Sequence, residues 1–195
     1  MDMSPDRISV LGIAGSLRRE SYNRALLRAA VRLAPPDATI TTFERLHEIP
    51  LYNDDVRQRD GLPDPVAELW GRIAAADAVL VACPEYNFGP AGVLKNAVDW
   101  VSRPPAESPL RRKPVAIMGA STGLFGTARA QLSLRNTLAY LEAYVVPRPE
   151  VAVSRAAERF DVRGELTDDR TRELVVELLR ALVDWTRRLS GRAAQ

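Results

Sequence analysis

Residues 12–23 read Gly-Ile-Ala-Gly-Ser-Leu-Arg-Arg-Glu-Ser-Tyr-Asn and follow directly on a run of branched apolar side chains. Small residues let a ligand approach the backbone closely, while Ser16 and Ser21 bring hydroxyls, Asn23 an amide and Arg18 a guanidinium. The segment runs into a helical pattern at Tyr22, and the free N–H groups and dipole of a helix start favour an anion. A guanidinium can grip two phosphate oxygens at once. The segment has no Lys followed by Ser or Thr, as a Walker A loop has, and lacks the full G-x-G-x-x-G of a dinucleotide site. What remains suits one terminal phosphate better than a pyrophosphate. Taken alone, the same residues also read as a helix cap in a polar loop.

A second segment able to hold a ligand follows Cys83: Pro84-Glu85-Tyr86-Asn87-Phe88-Gly89-Pro90. Its backbone groups and the Asn87 amide can meet the polar edge of a flat heterocycle, with Tyr86 or Phe88 shielding a face. By itself it is also an ordinary turn rich in Pro, Asn and Gly. Acid–base or nucleophilic machinery is not in view. His47 is the only histidine and lies in a polar stretch, which favours a surface or interface role. Cys83 is the only cysteine. It permits neither an intramolecular disulfide nor a zinc–cysteine cluster, and at a buried strand end it behaves as a small hydrophobe.

Positioning these loops requires a frame, and the sequence alternates short apolar runs with longer segments of helical period, the pattern of βαβ units. Strands are predicted over residues 8–13, 39–43, 78–83, 115–120 and 144–153, the last interrupted by Pro147 and Pro149 and so placed at an edge or a bulge. Helices are predicted over 22–33, 66–76, 90–102 (opened by Pro90) and 126–142, with a last one capped by Thr167 and ending at Gly191. Residues 47–65 form a polar stretch too long for a plain connector. The expectation is an α/β fold: one domain over residues 1–195, a doubly wound five-stranded parallel sheet with helices on both faces, and a disordered tail at 1–6. Such a sheet places its ligand outside the carboxyl ends of its strands, where strand order reverses. The informative residues follow strands one, three and four.

The 195 residues are 46% hydrophobic and 27% charged, with a net charge of only +2, which calls for neither nucleic acid nor an anionic membrane. The acidic, polar start lacks a signal-peptide pattern, and together with the lone cysteine this points to the cytoplasm.

In combination these segments resemble the NAD(P)H-dependent FMN reductase family, the flavodoxin-like group that includes bacterial quinone, chromate and azo-dye reductases. The resemblance rests on Gly15-Ser16-Leu17-Arg18 with Ser21 and Asn23, on Pro84-Glu85-Tyr86-Asn87, and on Leu94-Lys95-Asn96-Ala97 with Asp99-Trp100. Residues 50–55 and 126–135 extend it over nearly the whole chain. It implies a sheet order of 2-1-3-4-5. It further implies an FMN phosphate held by Ser16, Arg18, Ser21, Tyr22 and Asn23, with the flavin bordered by Pro84, Glu85, Tyr86 and Asn87. Ser121 and Gly123, after strand four, would close the other side of the ring, in a loop whose wording departs from the family's commoner small, Pro- or Gly-rich one. The activity implied is hydride transfer from NADPH or NADH to FMN and on to quinones or other small oxidants, in a homodimer or homotetramer. A flavodoxin-type electron carrier serving a protein partner is the alternative, although such carriers are usually strongly acidic. Arg111, Arg112 and Lys113 form a basic turn that reads as a solvated surface, with the 2′-phosphate of NADPH as its other possible partner.

Overall fold

The computed structural model describes residues 7–191, so the tail expected at 1–6 lies outside the described residues. In chain order the strands are β1 (Ile8–Ala14), β2 (Ala38–Phe43), β3 (Ala78–Ala82), β4 (Glu85–Tyr86), β5 (Gly89–Pro90), β6 (Pro114–Ala120), β7 (Tyr144–Val145) and β8 (Val151–Val153). The helices are α1 (Tyr22–Arg32), α2 (Asp54–Asp60), α3 (Asp64–Ala75), α4 (Gly92–Val101), α5 (Ala128–Tyr140) and α6 (Asp169–Ser190). The main sheet runs β2-β1-β3-β6-β7, all pairs parallel, with β8 also pairing β6. This is the expected 2-1-3-4-5 order with one correction. The fifth strand is two strands, because Pro147 and Pro149 interrupt the ladder. β7 pairs with the start of β6 (Pro114, Val115) and β8 with its end (Met118 to Ala120).

β3 and β6 are buried along their whole lengths, as central strands covered on both faces must be. One face carries α1 and α6, whose Leu26, Ala30, Leu178 and Leu182 pack on Val10, Leu80 and Met118. The other carries α3, α4 and α5, whose Leu69, Leu94, Trp100 and Leu134 pack on Leu11, Val81 and Ile117. Among the described residues, no helix is long and apolar enough to cross a membrane.

Two local expectations are corrected. Pro90 does not open a helix; it pairs with Glu85 in the β4–β5 hairpin, and α4 begins at Gly92. The cap of α6 is Asp168, whose Oδ2 accepts from the Thr171 N–H at 2.9 Å, while the Thr167 hydroxyl donates to the Arg159 carbonyl. The polar stretch after β2 contains a 3-10 turn (Arg45–Glu48) and α2, and is pinned to α4. There Asn96 donates to the Pro50 carbonyl and accepts from the Tyr52 N–H, both at 2.8 Å, and the Trp100 indole donates to the same Pro50 carbonyl. The Leu-Lys-Asn-Ala and Asp-Trp pattern of α4 thus anchors the long loop, with Lys95 and Asp99 paired one turn apart at 2.6 Å.

Candidate functional site

The switch point lies between β1 and β3, and the loops after these strands touch there. The Gly15 N–H donates to the Ala82 carbonyl at 2.9 Å. A Cβ on Gly15 would stand 2.8 Å from Cδ of Pro84 and 2.9 Å from Cδ2 of Leu94, so a side chain at this position would push the two loops apart.

The first loop keeps donors in reserve. Ser16 is buried and its hydroxyl accepts from the Arg18 N–H at 3.4 Å. Ser21 caps α1, accepting from the N–H groups of Asn23 and Arg24, which leaves its own hydroxyl proton free to be donated. Among the described residues, the N–H groups of Ser16, Leu17 and Tyr22 have no hydrogen-bond partner, and the exposed Arg18 guanidinium has neither an ion pair nor a hydrogen bond. The Tyr22 ring is turned away onto Phe160, with centroids 5.4 Å apart. Several donors and one unpaired cation around a helix start are the groups that favour an anion.

Asn23 behaves otherwise. The amide expected to meet the phosphate is buried and spans the Ala120 peptide, donating to its carbonyl and accepting from its N–H, both at 2.9 Å. It ties the start of α1 to the end of β6 and thereby fixes the loop.

The second loop is the β4–β5 hairpin, turning through Asn87 (φ 49°) and Phe88 (φ 70°). Its Glu85 side chain has a structural role. The carboxylate is only 6% exposed and accepts from the N–H groups of Arg129 and Ala130, both at 3.1 Å, and from Nε of Arg129 at 2.6 Å. It caps α5 from another element. The Arg129 guanidinium, held there, lies over two exposed rings, 3.9 Å from the centroid of Phe88 and 4.8 Å from that of Phe125. Such stacking joins the hairpin to the loop after β6. The sequence alone does not single out Arg129 as the link. Tyr86, Phe88, Leu124 and Phe125 leave an apolar rim exposed at this end of the sheet.

In the loop after β6, the Ser121 N–H donates to the Val153 carbonyl at 2.9 Å and the Ser121 hydroxyl accepts from the Gly123 N–H at 3.2 Å. Gly126 (φ 57°) passes so close to Ala152 that a Cβ would lie 2.7 Å from its carbonyl. Cys83 is buried beneath this end of the sheet, where burial, with the Glu85 charge adding to it, pushes its thiol up to about 12. A thiol so protonated is no nucleophile. In the basic turn, Arg111 pairs with Glu142 and Lys113 donates to the Ala76 carbonyl, so both act in the fold. His47 is exposed.

Residues 8–158 match the family described as NADPH-dependent FMN reductase. The chain belongs to that family. It is 53% identical over 186 residues to an NAD(P)H-dependent FMN reductase of Pseudomonas aeruginosa, covering 95% of this chain and 99% of the relative. It is 36% identical to the quinone reductase of Escherichia coli, over 94% of this chain and 98% of that one. Among solved structures, the flavoenzyme NAD(P)H:(acceptor) oxidoreductase FerB from Paracoccus denitrificans superposes with a TM-score of 0.83 at 34% identity, over 93% and 98% of the two chains. As a member of this NADPH-dependent FMN reductase family, the chain is an oxidoreductase that works with FMN and NAD(P)H.

Proposed function

We propose that this enzyme takes hydride from NAD(P)H onto FMN held across the carboxyl ends of β1, β3 and β6, and delivers the electrons to quinones or similar small oxidants. The observation that carries the reading is the junction at Gly15 and Pro84, which sets an anion site with unpartnered donors beside a hairpin whose backbone and aromatic side chains suit a flat ring.

The residues fit the cofactor. Ser16, Ser21, Arg18 and the Tyr22 N–H would take the phosphate, with Asn23 holding their loop on Ala120. Pro84 and the backbone of Glu85, Tyr86 and Asn87 would border the ring, with Ser121 and Gly123 on its far side. When bound, FMN would supply the redox chemistry between NAD(P)H and the acceptor. The protein's part is geometric: it fixes the phosphate, aligns the ring and surrounds its mouth with Tyr86, Phe88 and Phe125. Hydride transfer to and from the flavin needs stacking geometry rather than an acidic or basic side chain, and the proton that completes a hydroquinone can come from water. Quinone acceptors are supported by relatives named quinone reductase and 2-hydroxy-1,4-benzoquinone reductase.

The rim of Tyr86, Phe88, Leu124 and Phe125, continued on α5 by the exposed Leu132 and Tyr140, supports a homodimer or homotetramer in which a second copy covers these groups. Light scattering at micromolar concentration tests this, and a monomer mass would refute it. The activity itself is tested by loading the purified chain with FMN and following NADH and NADPH oxidation with a benzoquinone as acceptor. Acceptor-dependent oxidation without any partner protein is expected. Oxidation only when a protein partner is added would make the chain a carrier instead.

A further inference from the structure

Arg129 brings a fixed cation to the ring side of the site. The two loops there, residues 84–91 and 121–127, contain no Lys, Arg or His, so the positive charge between them comes from α5. Nε of Arg129 donates to Glu85 at 2.6 Å, and Nη2 pairs with the same carboxylate. Nη1 has no hydrogen-bond partner among the described residues and is open to solvent. The Glu85 carboxylate is taken up by the start of α5 and by the inner edge of the guanidinium, which leaves the outer edge positive.

Phe88 is a second, independent sign. It stands at φ 70°, which bulky side chains rarely adopt and which a two-residue hairpin turn ordinarily meets with glycine. Backbone strain of this kind gathers at functional sites. The ring is 70% exposed, yet one face lies against the guanidinium at 3.9 Å, with Phe125 at 4.8 Å. Aromatic faces beside a free N–H edge suit a flat ring that carries a negatively charged oxygen. We propose that Arg129 binds the quinone oxygen on which negative charge develops, and so favours acceptors with an ionised ring oxygen. Quinone reduction takes up a hydride from the reduced cofactor, which returns to its oxidised form. The acceptor then holds one O–H and one negatively charged oxygen, and a proton from water completes the hydroquinone. A fixed donor at that oxygen stabilises the charge as it forms. In the other half of the cycle positive charge develops on the nicotinamide, where a cation gives no such help. The inference rests on the reading of the β4–β5 hairpin and residues 121–123 as the borders of the flavin ring.

The test compares two ligands on the oxidised, FMN-loaded protein by calorimetry: 2-hydroxy-1,4-naphthoquinone, an anion at neutral pH, and neutral 1,4-naphthoquinone. Arg129→Met should weaken the anion about tenfold or more and the neutral ring about threefold or less. Arg129→Lys, which keeps the charge, should recover part of the loss. Phe88→Gly suits the turn and leaves the fold intact, and should weaken the anion about two- to fivefold through the lost stack. Stopped flow at saturating FMN then separates the two halves of the reaction. In Arg129→Met, reoxidation by 1,4-naphthoquinone should slow about tenfold or more, while reduction by saturating NADPH changes by less than about threefold. Equal losses for the two ligands, or equal slowing of the two halves, would reduce Arg129 to a tether between loops and overturn the inference alone. Failure of the wild-type chain to bind FMN strikes instead at the flavin reading beneath it.

Discussion

Replacing Glu85 tests whether one carboxylate holds the site's two outer loops together. It accepts from two N–H groups at the start of α5 and from the Arg129 guanidinium, with its side chain 6% exposed and that of Arg129 38% exposed. Removing one partner of a fully buried pair costs about 3–5 kcal/mol. Here the guanidinium can turn to water, whereas the two N–H groups lose a charged acceptor, so Glu85→Ala should cost about 2–4 kcal/mol. Glu85→Gln keeps an acceptor oxygen for those N–H groups and gives up only the charge, for a cost of about 1–2 kcal/mol. Urea unfolding followed by tryptophan fluorescence reads both values. FMN affinity should fall with Glu85→Ala as well, because the stack of Phe88, Arg129 and Phe125 loses its anchor. A loss under about 1 kcal/mol for Ala, or equal losses for Ala and Gln, would refute the cap.

Three further predictions concern the frame. Gly15→Ala forces a Cβ against Pro84 and Leu94, and should destabilise by about 1–3 kcal/mol in the same unfolding assay while weakening FMN binding. Asn23→Ala leaves the Ala120 peptide without its buried partner, and should cost about 1–3 kcal/mol. Asp168→Ala removes the cap of α6, at about 1 kcal/mol near neutral pH. The Thr171 hydroxyl, its N–H and Arg159 hold the Asp168 carboxyl below the usual carboxylate range, so the folded state binds its proton less readily than the unfolded chain. Its contribution is therefore complete above the ordinary carboxylate value of about 4 and fades as pH falls through the lowered one. The difference between wild type and variant should shrink correspondingly in acid unfolding, and a gap that widened with acid would contradict the assignment.

Much of this architecture is legible in the sequence, for reasons particular residues make plain. β3 and β6 are unbroken apolar runs between turn signals, and α1 and α6 carry their buried residues at helical spacing, so local pattern and tertiary placement agree. The first loop reads as a candidate anion site because hydroxyls, a guanidinium and a helix start lie within a few consecutive residues. What escapes depends on distant partners. Asn23 meets Ala120 across 97 positions and Glu85 meets α5 across 44 or 45, so their structural roles as tethers have no local sign in the sequence. The β4–β5 hairpin was legible only in part: Asn87 is a residue that tolerates positive φ, whereas Phe88 beside it gives no such sign. Thr167 and Asp168 are both good cap residues, and only the geometry of Thr171 distinguishes them.

The central claim is that residues 16–22 hold the flavin's phosphate, and comparing FMN with riboflavin tests it most directly. The two ligands share a ring and a ribityl chain and differ only in the phosphate. With at least two charge-assisted hydrogen bonds to that group, the apoprotein should bind FMN about a hundredfold or more tightly than riboflavin. Arg18→Ala should remove about tenfold of that preference without changing urea stability. Equal affinities for FMN and riboflavin, or a preference untouched by Arg18→Ala, would contradict the account.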